Sequence, residues 1–111
     1  MLEDSAAHAM LNAITITHVS LHSVDAPAGG SNELTGGDYA RLPRTLQPAA
    51  SRKRLLNTDA VFMLDAGHAP KAIGFWNNST FVGYRVLPVQ PVIAVNDATY
   101  TCPAASTGLA I

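Results

Sequence analysis

The sequence predicts a mostly β fold: a small antiparallel β-sandwich or barrel-like domain preceded by one short helix. Three observations support this. Period-two alternation and short apolar runs recur after residue 16, giving roughly seven or eight strands at roughly 8–12-residue spacing. Turn-forming Gly, Pro, Asn and Asp separate those runs. Apolar residues make up 48% of the chain against 14% charged, so a core is affordable and disorder is not expected. The 111 residues fit one domain, with the helix in 1–15 and the β-sandwich in 16–111.

The helix is expected from Asp4 to about Ile14. Asp4 or Ser5 can cap its first turn, and the acids Glu3 and Asp4 suit the positive end of the dipole. Ala6, Met10, Ala13 and Ile14 form the expected apolar stripe. About three turns of helix are marginal in isolation, so this one must pack on something.

After Ile14 the period changes to two. Thr17, Val19 and Leu21 alternate with His18, Ser20 and His22, the pattern of a half-buried strand. A loop of about 15 residues follows, from Ser23 to Gly37, a length that marks a functional, mobile or pinned segment. Tyr39 to Leu42 begins the next strand, and Pro43 and Pro48 interrupt what comes after. Ala60 to Leu64 is an apolar strand ended by the turn-like DAGHAP. Lys71 to Trp76 is another, joined through the turn Asn77-Asn78-Ser79 to Thr80–Val86. Val92–Val95, a turn at Asn96-Asp97, Thr99–Cys102 and a terminal Gly108–Ile111 complete the strand set.

Charge excludes some functions. The net charge of −1 gives no general attraction to nucleic acid or to acidic membranes. No apolar run reaches the roughly 20 residues needed to cross a bilayer as a helix. The N-terminus carries acids where a secretion signal carries basic residues, so a soluble chain made in a cytoplasm is expected. The low charge content, well under the usual share of about 25%, points to surface covered by other copies or partners.

Catalytic and cofactor motifs are absent, and neither an enzyme nor a cofactor is expected. The single Cys102 excludes a disulfide framework and reads as a small buried hydrophobe. His18 and His22 share a strand face but lie about 13 Å apart, too far to share one ion. With His8 and His68 they read as solvent-facing or interface residues, and no metal site is expected. Asp25, Glu33 and Asp38 lack the regular spacing of a calcium loop. Trp76 is the only tryptophan; its ring could stack on sugar, or serve as a core or subunit-contact aromatic, with Tyr84 and Tyr100 as further rings.

Arg41, Arg44, Arg52, Lys53 and Arg54 supply five of seven basic residues, and no acid lies between Asp38 and Asp59. Without interleaved aromatics this patch reads as a solvated loop, or as a surface docking on an acidic neighbouring subunit, rather than a nucleic-acid groove.

Several segments together resemble one protein family. They are the Ala-rich helix, then THVSLHSVDAPAGGSNELTGGDYAR, TDAVFML, AIGFW before its turn, and PVIAVNDATYTCPAASTGLAI. In that order they are similar to small virion proteins of tailed actinobacterial phages, described as tail fibre or minor tail proteins. The loop motif with Asn32, Glu33, Gly36, Gly37, Tyr39, Ala40 and Arg41 is the most specific piece. The basic Ser51–Leu56 stretch departs from the family's usual Gly/Ser-rich one. The resemblance implies a non-enzymatic structural part of a virion, assembling with copies of itself and with other virion proteins. A capsid decoration protein is the alternative location, and a carbohydrate-binding module contacting a host surface glycan a second alternative. The expected assembly interface comprises Asn32, Glu33, Tyr39, Arg41, Arg52, Lys53 and Arg54, and in the carbohydrate-binding alternative Trp76 is the ring that would stack on the ligand.

Overall fold

In a computed structural model, which describes residues 3–110, four antiparallel strands form the central sheet. They are β1 (His18–His22), β2 (Leu42–Pro43), β5 (Ala72–Asn77) and β6 (Thr80–Val86), in the order β2-β1-β5-β6. Two further ribbons pair β3 (Lys53–Leu55) with β8 (Gly108–Ala110), and β4 (Ala60–Leu64) with β7 (Ala98–Cys102). All pairings are antiparallel, as the sequence predicts.

Alternation decides which side chains meet. On the inner face of the central sheet Val19 and Leu21 of β1 join Ile73 and Phe75 of β5. They pack in one core with Phe62, Leu64 and Cys102 from the β4–β7 ribbon and with Leu56, the residue after β3. In β4 the pattern is strict: Ala60, Phe62 and Leu64 are buried while Val61 and Met63 are exposed. The turn between β5 and β6 places Asn78 at φ 54°, a left-handed position that Asn tolerates well.

The helix α1 (Asp4–Asn12) is shorter than expected and turned about its axis. Its buried residues are Ala7 and Leu11, with Ile14 packed against the core, while Met10 is 52% exposed. The stripe is thus i, i+4, i+7 from Ala7, one position on from the expected one. Asp4 does not cap; it is already helical, and Glu3 at the N-cap position makes no side-chain cap. Residues 1 and 2 of the expected helical segment, and Ile111 of the expected last strand, lie outside the described residues.

Three strand assignments change. The strand expected from Tyr39 to Leu42 is confined to Leu42–Pro43, because Tyr39 and Arg41 turn onto Glu33, and Pro43 does not interrupt it but pairs opposite His18 at the sheet edge. Val92–Val95 is not a strand: the segment after Pro91 runs over the surface with Val92 and Val95 at 76% and 64% exposure. Only Ile93 is anchored, by its N–H to the His68 carbonyl and its carbonyl to the Gly67 N–H. Conversely, the basic Lys53–Leu55 forms β3 after a tight turn at Ser51-Arg52, both left-handed at φ 50° and 61°. No helix of the described residues is long and apolar enough to cross a membrane.

Candidate functional site

The strand β1 departs most from its half-buried pattern. Its polar alternates Ser20 and His22 are both fully buried, so His22 is neither solvent-facing nor an interface residue. The cause is the long loop, which folds back over the outer face of the sheet. Its neck is closed by backbone pairing: Ser23 N–H donates to the Asn32 carbonyl, and Leu34 N–H to the Leu21 carbonyl, with His22 and Glu33 as bridge partners. Such a closed, packed excursion is an Ω-type loop.

Beneath it lies a chain of buried hydrogen bonds. The Trp76 indole N–H donates to Ser20 Oγ at 2.7 Å, Ser20 Oγ lies 2.6 Å from His22 Nε2, and His22 Nδ1 lies 2.7 Å from the Ser31 carbonyl. The sheet leaves room for this only because position 74 is glycine. A Cβ there would lie 2.5 Å from His22 Nε2 and 2.6 Å from Ser20 Oγ. Burial holds the His22 pKa below the ordinary imidazole value. The Ser31 bond and the Glu33 charge oppose that shift, and Arg41 adds to it.

At the end of the loop Glu33, Tyr39 and Arg41 converge. Arg41 grips Glu33 with Nε at 3.0 Å from both carboxylate oxygens and Nη2 at 2.8 Å from Oε1. The Tyr39 hydroxyl donates to Glu33 Oε2 at 2.8 Å and accepts the Leu21 N–H at 2.9 Å. Burial, chiefly, raises the Tyr39 pKa, while the bonds to Glu33 raise that of Arg41. The Arg41 guanidinium in turn sits 3.6 Å from the centre of the Trp76 ring.

The residues expected at an assembly interface therefore bond largely within the chain. Arg52 and Arg54 serve the helix: Arg52 Nη1 meets Asp4 Oδ1 at 3.1 Å and the Arg52 N–H donates to His8 Nε2 at 2.9 Å. Arg54 Nη1 donates to the Leu11 carbonyl at 3.0 Å and to that of Ile14, closing the negative end of α1. Lys53 and Asn32 are exposed. Trp76 is only 6% exposed, lying under Arg41 and against Phe81, so it presents no open face for a sugar. Tyr100 is half-buried with its hydroxyl on the Val89 carbonyl, which leaves Tyr84, 40% exposed, as the open ring.

The acids of the long loop separate. Asp25 accepts the Gln90 amide, Glu33 holds Arg41, and Asp38 meets Asp65 and Asp97, with carboxylate oxygens within 4.8 Å of one another. Sequence reading missed this trio because it joins three turns far apart in the chain. Both Asp65 oxygens already accept backbone N–H groups, from Asp38 and from Asp97, which lowers its pKa. A side-chain hydrogen bond to Asp97, with the neighbouring charges, raises that of Asp38. These contacts make the cluster a clamp between turns. Gly37 is pressed onto it at φ 59°, where a Cβ would lie 1.6 Å from Asp65 Oδ2.

A cleft of about 610 Å³ opens between the end of β6, β7 and the loop before β8, lined by Ile73, Arg85, Leu87, Tyr100 and Cys102 among others. Arg85 is its one charged lining residue. Burial pushes the Cys102 thiol up to about 12, far from a reactive thiolate. Comparison with protein-family models, with curated proteins and with solved structures finds no match to this chain.

Proposed function

We propose that this chain is a non-enzymatic structural subunit of a tailed-phage particle, assembling in several copies as a tail fibre or minor tail component. The carrying observation is the outer side of β6. Tyr84 and Val86 lie opposite Gly74 and Ala72, so they continue the sheet's outer face past the edge of the loop, at 40% and 52% exposure. Val82 beside them is 39% exposed, and Arg85, the one charged residue of β6, pairs opposite Ile73 on the other face of the sheet.

Among the described residues no strand pairs with the free edge of β6. The register shift there leaves Val82 as a bulge, which disfavours a continuous ladder with another edge. Side-chain packing is the better contact. An uncharged, apolar strip is matched by a second uncharged strip, and the simplest source is another copy of this chain. The low charge content and the resemblance of the loop motif to small virion proteins support the same reading.

Light scattering after size exclusion tests the assembly. The chain is expected to be multimeric, and Tyr84→Lys with Val86→Lys to be a folded monomer. A wild-type chain that stays monomeric at high concentration overturns the proposal. Locating the chain in an electron-microscopy map of intact particles tests the place: copies around the tail axis support a fibre or minor tail part, and copies spread over the head a decoration role.

A further inference from the structure

We infer that His22 is an acid-opened catch, whose protonation releases the loop of residues 23–41 from the outer face of the sheet. This concerns contacts within one chain and does not depend on the assembly reading.

The proton positions follow from the partners. An indole N–H can only donate, so Ser20 Oγ is the acceptor in its bond to Trp76. The Ser20 hydroxyl proton must then point at His22 Nε2, 2.6 Å away, which makes Nε2 a bare acceptor. Nδ1 carries the ring proton and donates it to the Ser31 carbonyl of the loop at 2.7 Å. The relay runs in one direction, Trp76 to Ser20 to His22 to Ser31, and it closes only around a neutral imidazole.

A second proton has one place to go, Nε2. There it faces the Ser20 hydroxyl, which must turn its own proton away to accept two donors at once. Ser20 and His22 are both fully buried, so the displaced hydroxyl proton has no water to meet and the new charge no solvent. The surroundings offer little compensation. From the loop, Glu33 faces His22 but is already held by Arg41 and Tyr39, and Arg41 itself opposes a second cation. From β5 and β6 the neighbours are Gly74, Trp76 and Phe81, none able to pair with a charge. The least costly relief is movement of the loop, which opens His22 to water while the inner core stays packed.

The second observation is the shape of the contact. The loop tip is seated through Gly30, where a Cβ would lie 2.6 Å from the Trp76 ring, and through the Ser31 carbonyl on His22. Trp76 is also the start of the relay. Disturbing His22 therefore disturbs the support under the tip.

Hydrogen exchange of backbone amides against pH, with the ring nitrogens of His22 followed by NMR, tests this on the full chain. The expected neutral form is the Nδ1–H tautomer. As pH falls below the ordinary imidazole range, amides of residues 23–41 should lose protection about tenfold per pH unit, the slope for one proton. Those of β5 should keep theirs. The His22→Gln variant should lose the acid step, whereas His68→Gln, at the second tether to the loop, should keep it. Loop and β5 amides failing together overturns the proposal, as does an acid step that survives in His22→Gln. Should that variant not fold, the wild type decides: a His22 titration midpoint that does not coincide with loop opening overturns it.

Discussion

The guanidinium carbon of Arg41 lies over the Trp76 ring, 3.6 Å from its centre, while the Nε and Nη2 atoms of the same group are held by Glu33. One cation thereby ties the end of the long loop to the middle strand of the sheet. Arg41→Lys keeps the charge but loses the planar fork and the stacking, and should destabilise the fold by about 1 kcal/mol. The figure is held low because the Arg41 side chain is 35% exposed and solvent screens the pair. Denaturant unfolding followed by Trp76 fluorescence measures it. Unchanged stability and emission would show that the stack contributes nothing.

Gly74 is where the sheet yields space to a polar network. Gly74→Ala puts a Cβ 2.5 Å from His22 Nε2, so either the relay separates or β1 and β5 part. A loss of roughly 1–3 kcal/mol is expected, the range for an overpacked interior. Gly67→Ala is the informative contrast. A Cβ there meets no atom within 4 Å, so its cost should come from φ 95° alone and leave the loop amides protected.

Arg54 ends the helix from outside it. Arg54→Met keeps much of the side-chain stem but removes the donors to the Leu11 and Ile14 carbonyls. It should cost about 1–2 kcal/mol and fray α1, visible as reduced helical circular dichroism. Arg44→Met, whose donors reach the Pro43 and Asp59 carbonyls, should leave α1 intact.

The Asp38–Asp65–Asp97 clamp sets opposite acid responses. The Asp65 pKa is lowered from 3.8 by two backbone N–H donors. Its stabilisation is therefore present above 3.8 and lost as pH falls toward its folded value. Asp38 is raised from 3.8, so its contribution holds below 3.8 and is lost as pH rises through its folded value. Asp65→Asn should reduce the acid sensitivity of unfolding, and Asp38→Asn should stabilise the chain at neutral pH. Melting temperatures from pH 3 to 7 test both signs.

How much of this was legible depended on the distance between partners. Ala60–Leu64 and the turn at Asn78 were readable because each is set by neighbouring residues, through alternation or a local turn preference. Lys53–Leu55 was not, since three residues with two charges show no period and their partner Gly108–Ala110 lies half the chain away. Val92–Val95 carries strand-like residues but has no partner strand, and propensity without pairing leaves an extended surface segment. The Glu33–Tyr39–Arg41 motif was visible as a cluster of residue types. Its target was not, because the Trp76 ring and the buried Ser20–His22 pair become neighbours only when the loop folds back.

The loop is held mainly through its backbone and by residues that flank its tip. The Ser31, Asn32 and Thr35 carbonyls and the Leu34 N–H make the attachments, and Gly30 fits under its own lack of a side chain. Asp25, Ala26, Ala28 and Gly29 are exposed, with Asp25 accepting the Gln90 amide, while Pro27 among them is buried. The crest of the loop is thus a display platform built around a fixed proline: Ala26 and Ala28, on either side of the buried Pro27, can be exchanged while Pro27 and the anchoring atoms stay the same.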